Sequence, residues 1–304
     1  MTLHAMIILK GVIAILFIAA NTVVWCVPLY LLAVPRALIP IPSVRVVIGS
    51  GMTRVIDGWV AGNRLMLSAL SITKLHVATH LDEPLSPDRW YVVISNHQGW
   101  SDILILQDTF LRRIPPLKFF VKQQLIWIPF LGFAMWLLGF PYVRRYGREA
   151  LARDPSLRRH DQQATQRAAE TFKHRPTSVL NFMEGTRFSP AKHEYQQSKY
   201  RNLLMPKTGG FGYVVAALGD RIHQVLDVTI VYPNGTPSFW EFISGQCRDV
   251  RVEITGRPVP AELLEGHEEL PTAAREALHS WVDELWSRKD QRIDELRKTT
   301  VQFE

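Results

Sequence analysis

From Gly11 to Val34 the chain carries no charge (GVIAILFIAANTVVWCVPLYLLAV), and about 20 apolar residues in a helix suffice to cross the hydrocarbon core of a bilayer. The run exceeds the roughly 7–15 apolar residues of a cleavable signal, so a retained anchor is expected over residues 1–40. Lys10 precedes it, whereas Arg36, Arg45, Arg54, Arg64 and Lys74 follow. An excess of Lys and Arg marks the cytoplasmic flank, which puts the remainder on the cytoplasmic side of the cell membrane. Pro28 and Pro35 lie within or just after the run, and the kinks they impose leave a hairpin half-inserted in one leaflet as the other arrangement.

The 304 residues are 47% hydrophobic, ample for a sizeable core. Residues 41–85 mix apolar side chains with arginines, as amphipathic membrane-proximal helices do. A catalytic domain is expected over 86–260 and a helical extension over 261–304. The formal charge of +7 and pI near 9.5 favour anionic partners: nucleic acid, an acidic membrane surface or a phosphorylated substrate. Cys26 and Cys247 are too few for a disulfide framework or a zinc site.

Short apolar runs alternate with helical patterns along the downstream part. Strands are expected at Tyr91–Ile94, Lys118–Val121, Pro141–Val143, Thr177–Phe182, Val225–Tyr232 and Arg251–Thr255. Helices are expected near 102–111, 130–138, 158–173, 211–219 and 272–298. The polar, basic stretch Ser189–Pro206 has the composition of a mobile loop. The alternation argues for an α/β fold: a layered, largely parallel sheet with flanking helices, preceded by the N-terminal membrane anchor helix.

The first strand stops at Asn96-His97-Gln98-Gly99-Trp100-Ser101-Asp102. On a continuous helix, residues five apart lie roughly 140° apart around the axis, so only a turn, which Gly99 permits, lets His97 and Asp102 meet. Asp102 would then fix the tautomer of His97 and stabilise its protonated form, as a general base requires. Two further expected strand ends carry charge amid apolar surroundings: Arg144 with Arg145, and Glu184 with Arg187. Sites in open α/β sheets form at the carboxyl ends of strands, so these groups can share one cleft. A base among guanidinium groups suits a substrate bearing a hydroxyl and a phosphate.

In these blocks the sequence resembles the glycerolipid acyltransferases typified by 1-acylglycerol-3-phosphate acyltransferase. Asn96 to Asp102 matches the NHxxxxD block, Gly139–Arg145 (GFPYVRR) is similar to the second, Glu184-Gly185-Thr186-Arg187 matches EGTR, and Val228–Pro233 (VTIVYP) resembles the fourth. The lysine of the family's AKKEL segment falls on Lys122. Pro141, Arg144 and Gln124 depart from the pattern, which bears on the identity of the acceptor.

The resemblance implies direct acyl transfer: His97 takes the proton from an acceptor hydroxyl, Asp102 holds the imidazole, and the hydroxyl attacks the thioester of acyl-CoA or acyl-carrier protein. These thioesters are co-substrates; no cofactor and no metal are implied. Lys122, Arg145 and Arg187 would meet the acceptor phosphate, Glu184 would orient Arg187 or the hydroxyl, and Gly185 would let a backbone N–H approach the oxyanion, with Thr186 in the same substrate-binding block. The partners implied are the phospholipid bilayer, a lysophospholipid acceptor and the acyl donor, not nucleic acid.

Other chemistries have weaker support. A lipid hydrolase or thioesterase using the same His/Asp corner remains the alternative, although no G-x-S-x-G elbow is present. A metal site built on His97, Asp102 and Glu184 lacks a third nitrogen or sulfur ligand by spacing. The arginines sit at strand ends rather than along one helix face, which argues against a charged binding module without chemistry.

Overall fold

The apolar N-terminal run and the stretch after it fold as a helical hairpin in the computed structural model, which describes residues 2–143, 153–154, 163, 166–167, 169–263 and 271–298. α1 (Leu3–Leu38) continues through Pro28 and Pro35, and α2 (Pro42–Ala69) is a single helix with Pro42 in its first turn, where proline's missing N–H costs no helical bond. Their contact is close because Gly58 and Gly62 admit Trp25 and Asn21; a Cβ at either glycine would collide with them. Asn21 Nδ2 donates to Asn63 Oδ1 and to the carbonyl of Trp59, each at 2.9 Å. The hairpin also packs lengthwise on the rest of the chain: Lys10 Nζ donates to Ser71 O at 3.4 Å, and Tyr30 Oη donates to Phe130 O at 2.6 Å.

Beyond the hairpin come β1 (Lys74–His80), β2 (Trp90–Ser95), α3 (Ser101–Phe110), β3 (Leu117–Phe119), β4 (Val121–Lys122), α4 (Leu131–Leu137) and β5 (Tyr142–Val143). They are followed by β6 (Ser178–Phe182), α5 (Pro190–Gln196), α6 (Gly209–Leu218), β7 (Ile222–Val231), α7 (Phe239–Ile243), β8 (Asp249–Arg257) and α8 (Thr272–Lys298). The main sheet has the order β1-β8-β7-β2-β6-β3. Every neighbouring pair is parallel except β7 with β8.

In β2 the period of two sends Tyr91 and Val93 to one face and Val92 and Ile94 to the other, and all four are fully buried. Tyr91 and Val93 meet α3 and the end of α2 through Leu106, Phe110 and Met66. Val92 and Ile94 belong to the core built with Phe211, Val214 and Trp286 of α6 and α8. Cover on both faces explains why the strand reads as an unbroken apolar run.

Three stretches differ from expectation. Lys118–Val121 is not one strand: Leu117–Phe119 joins the main sheet beside β6, whereas Val121–Lys122 pairs with Tyr142–Val143 in a separate two-stranded sheet. β1, unexpected from a segment as polar as KLHVATH, is an edge strand whose full length pairs with β8.

Ser189–Pro206 is not a mobile loop. Its first half is α5, capped by Ser189, and its second half is pinned to α8: Tyr200 Oη donates to Asp283 at 2.9 Å, and the N–H groups of Arg201 and Asn202 donate to Asp290 at 2.9 and 2.7 Å. Its polar groups find carboxylates instead of water. Within it the His193 ring bonds the carbonyl of Tyr200 at 2.6 Å. Of the helix expected over 158–173, half lies outside the described residues.

Candidate active site

β2, β6 and β7 are neighbours with their carboxyl ends on one side, and each delivers one polar side chain there: His97, Glu184 and Tyr232. β2 leaves the sheet at Asn96. Its buried side-chain amide replaces a peptide group, donating from Nδ2 to Ile230 O and accepting at Oδ1 from Ile230 N, both at 2.8 Å. The chain then turns through Gly99 into α3, and Asp102, in the first turn of that helix, faces back toward the strand end.

Asp102 is fully buried and accepts four hydrogen bonds. Its Oδ2 receives His97 Nδ1 at 2.9 Å and the N–H groups of Gln98 and Gly99 at 2.6 and 2.9 Å, while Oδ1 receives the Tyr232 hydroxyl at 2.6 Å. Donors on both oxygens fix the carboxylate in place. Burial, and then the Asp102 charge, push the Tyr232 phenol well above its ordinary range, so it stays a donor. With Nδ1–H donating to Asp102, Nε2 carries the lone pair. The imidazole stacks on Phe182, 3.9 Å between centroids at 14°. Its side chain remains 15% exposed above a fully buried partner, so the ring is supported beneath and reachable from outside.

The EGTR block supplies structure before it supplies contacts. Glu184 is fully buried and does not orient Arg187; its Oε1 accepts the backbone N–H of His97 at 2.7 Å and its Oε2 that of Leu204 at 3.0 Å. Burial is the main cause, and Asp102 a lesser one, that lifts this carboxyl to about 7, with the two N–H donors and Lys289 pulling the other way. Gly185 sits at φ +66, which favours glycine, and its N–H donates to Phe182 O at 2.8 Å. That N–H closes the turn. Thr186 Oγ1 receives Lys192 Nζ at 2.8 Å, and Phe188 N donates to His97 O at 2.8 Å.

Arg187 lies with Cζ 4.3 Å from the centroid of Trp100, stacked on the indole at the rim of the corner. Lys122 is exposed on β4, opposite Val143 in the small sheet. Arg145 lies outside the described residues, as does Arg144. The structure thus brings His97, Asp102, Glu184, Gly185 and Arg187 to one corner and puts Lys122 on a separate element.

Tyr232 enters the sequence analysis as the end of a strand and not as a site residue, although it stands before Pro233 at a strand's carboxyl end, the kind of position that yields His97. Leu204 was missed as well; the group it offers is a backbone N–H, which no side-chain pattern can reveal.

The acyltransferase family model matches residues 76–233, from β1 to the end of β7. Lysocardiolipin acyltransferase 1 of Gallus gallus is 26% identical over 223 residues, 68% of this chain and 54% of that protein. The 1-acyl-sn-glycerol-3-phosphate acyltransferase alpha of Homo sapiens is 29% identical over 202 residues, 64% of this chain and 59% of that protein. The chain therefore spans little more than half the length of these relatives. In fold it is similar to the crystal structure of PlsC, the 1-acyl-sn-glycerophosphate (LPA) acyltransferase of Thermotoga maritima, with a TM-score of 0.56 at 18% identity over 97% of this chain and 100% of that one. With the family model covering more than half of its residues, and the paired His97 and Asp102 inside the matched region, the chain belongs to the acyltransferase family.

Proposed function

We propose that the protein moves a fatty acyl group from acyl-CoA or acyl-carrier protein to the free hydroxyl of a lysophospholipid, 1-acylglycerol-3-phosphate foremost, in phospholipid synthesis or remodelling. The observation that carries this reading is the His97 ring, held through Nδ1 by Asp102 at 2.9 Å with Nε2 left to accept a proton. His97 Nε2 removes the acceptor hydroxyl proton as the oxygen attacks the thioester carbonyl. The tetrahedral intermediate then expels the thiolate, which takes the proton back from His97; the new ester and the free thiol leave, and no acyl-enzyme forms. The imidazolium formed midway is paired with the Asp102 carboxylate. Arg187, over the Trp100 ring at the rim of the corner, is the cation proposed for an acceptor phosphate, and Lys122 and Arg145 complete the phosphate-binding set implied by the sequence blocks.

The acceptor is a lipid, and the hairpin suits a lipid surface. α1 is the helix among the described residues that is long and apolar enough to cross a membrane. Leu16, Val24, Leu31 and Leu38 on it, and Val46 and Val47 on α2, are exposed. Its contacts with the catalytic domain run from Lys10 to Tyr30, on the order of 30 Å of helix. That lateral packing favours the hairpin lying in the cytoplasmic leaflet of the cell membrane with the domain beside it.

The full-length protein in detergent, given an acyl-CoA, is expected to release free CoA only when a lysophospholipid is added, and His97→Ala is expected to abolish that release. Release unchanged by omitting the acceptor would establish the thioesterase alternative. Acceptor-dependent release that survives His97→Ala would remove the proposed base.

A further inference from the structure

At the opposite end of the sheet from His97, a cavity of about 290 Å³ lies between α2, the amino ends of β3 and β6, and the chain leaving α4. Arg175 and Glu184 stand at the two ends of the 5-residue β6, a separation on the order of 16 Å, so this is not the acyl-transfer corner. Arg36, Lys118, His174 and Arg175 line it, and no acidic side chain does among the described residues.

The cations are built in. Arg175 Nη2 donates to the carbonyls of Arg45 and Val46 at 3.2 and 3.1 Å, and its guanidinium presses on Gly49 so closely that a Cβ there would collide with it. Arg36 Nη1 rests on Met52 Sδ at 3.2 Å. Lys118, on β3, points its ammonium toward Gly139, 3.5 Å from where a Cβ would stand, and has neither a hydrogen bond nor an ion pair among the described residues. Burial first, and then Arg36 and Arg175, push its amine down to about 8. Like charges gathered in a half-buried cavity oppose folding unless an anion offsets them. Two guanidinium groups and an ammonium offer the donor set that phosphate oxygens accept. The end of α1 and the start of α2, beside Arg36 and Gly49, expose Leu38, Ile41, Val46 and Val47, which sets the same cavity next to an apolar surface.

We propose that this cavity binds a phosphate group, carried by a phospholipid headgroup or by a soluble phosphate ester, through Arg36, Lys118 and Arg175, at a site separate from the acceptor's position at His97.

The test uses the full-length protein in a zwitterionic detergent, titrated with inorganic phosphate in one arm and with short-chain phosphatidate against matched diacylglycerol in the other. Binding is read calorimetrically and as a rise in Tm. Lys118→Met and Arg175→Gln are each expected to weaken the anion-dependent component by roughly tenfold or more, the loss of one charge-assisted hydrogen bond; Lys118→Arg is expected to retain it. In an Arg187→Ala background, which removes the proposed acceptor-phosphate contact at the corner, the loss caused by Lys118→Met should persist, separating this site from the catalytic one. Loss of phosphatidate binding alone assigns a lipid headgroup, loss in both arms shows that phosphate itself suffices, and loss in the phosphate arm alone assigns a soluble ester. The ligand-free Tm of Lys118→Met gives a second reading that does not depend on probe choice. Relief of charge crowding raises it, whereas a merely structural lysine would lower it. Binding in neither arm, or binding unchanged in both variants, overturns the proposal.

Discussion

Glu184 Oε1 accepts the backbone N–H of His97 at 2.7 Å, so the carboxylate of the third sequence block fixes the main chain of the first. Its second oxygen holds Leu204, and Leu204 O in turn receives Trp286 Nε1 of α8 at 3.1 Å. The placement of the proposed base is therefore tied through Glu184 to the C-terminal helix.

That tie carries a pH signature. The Glu184 carboxyl stands at about 7 in the folded chain against 4.5 ordinarily. Between those values the native state holds a proton that the unfolded chain has released, so this group's stabilisation is full below pH 4.5 and is lost as pH rises through 7. Against Glu184→Gln, which does not titrate, the unfolding free energy of the parent should fall by on the order of 3 kcal/mol across that window and then level. Denaturant unfolding at a series of pH values measures it; a difference that is flat with pH refutes the assignment.

Asp102→Asn keeps the shape and removes the charge that pairs with the imidazolium. With its oxygen in the Oδ2 position the amide keeps the Gln98 and Gly99 N–H bonds, and its nitrogen then faces the Tyr232 hydroxyl, which must turn from donor to acceptor. The expected result is a fall in kcat of about 10²–10⁴ with the fold retained, measured as acceptor-dependent CoA release alongside circular dichroism.

Tyr232→Phe leaves Asp102 Oδ1 without its hydroxyl donor, and Ser101 Oγ, 2.7 Å from that hydroxyl, without a partner there. A cost of about 1–3 kcal/mol in stability is expected from the unsatisfied buried group, together with a lower kcat and an unchanged acceptor KM. Thermal unfolding and steady-state kinetics separate the two effects, and a rise confined to KM would place Tyr232 against substrate instead.

Arg187→Ala should raise the KM for a phosphate-bearing acceptor by roughly tenfold while leaving the thioester KM alone, the loss of one charged contact. Trp100→Leu, which removes the ring beneath the guanidinium, should act in the same direction and less strongly. Equal weakening of both substrates would argue that Arg187 holds the corner's shape.

The parts of this site legible in the sequence were those packed into one short segment. His97 and Asp102 are separated by a turn that Gly99 makes easy, and β2 and β6 announce themselves as apolar runs. What escaped has a common physical cause. Glu184 pairs with backbone amides, Tyr232 reaches Asp102 from another strand, and the 198–205 segment owes its order to Asp283 and Asp290 on a distant helix. Polar composition shows that groups need partners and is silent on whether water or a carboxylate provides them. The same limit applied to β1, whose apolar content is too thin to mark a strand until β8 is beside it.

Asn96 has a consequence for how narrowly this corner can be rebuilt. A primary amide is both donor and acceptor, and here it closes both bonds of Ile230 where the neighbouring strand has already ended. Aspartate at that position would have no hydrogen for the Ile230 carbonyl, and leucine would have nothing for either group. The strand can therefore release the chain toward His97 one residue early without fraying β7, and grafting the His/Asp pair onto another parallel sheet would require bringing this amide with it.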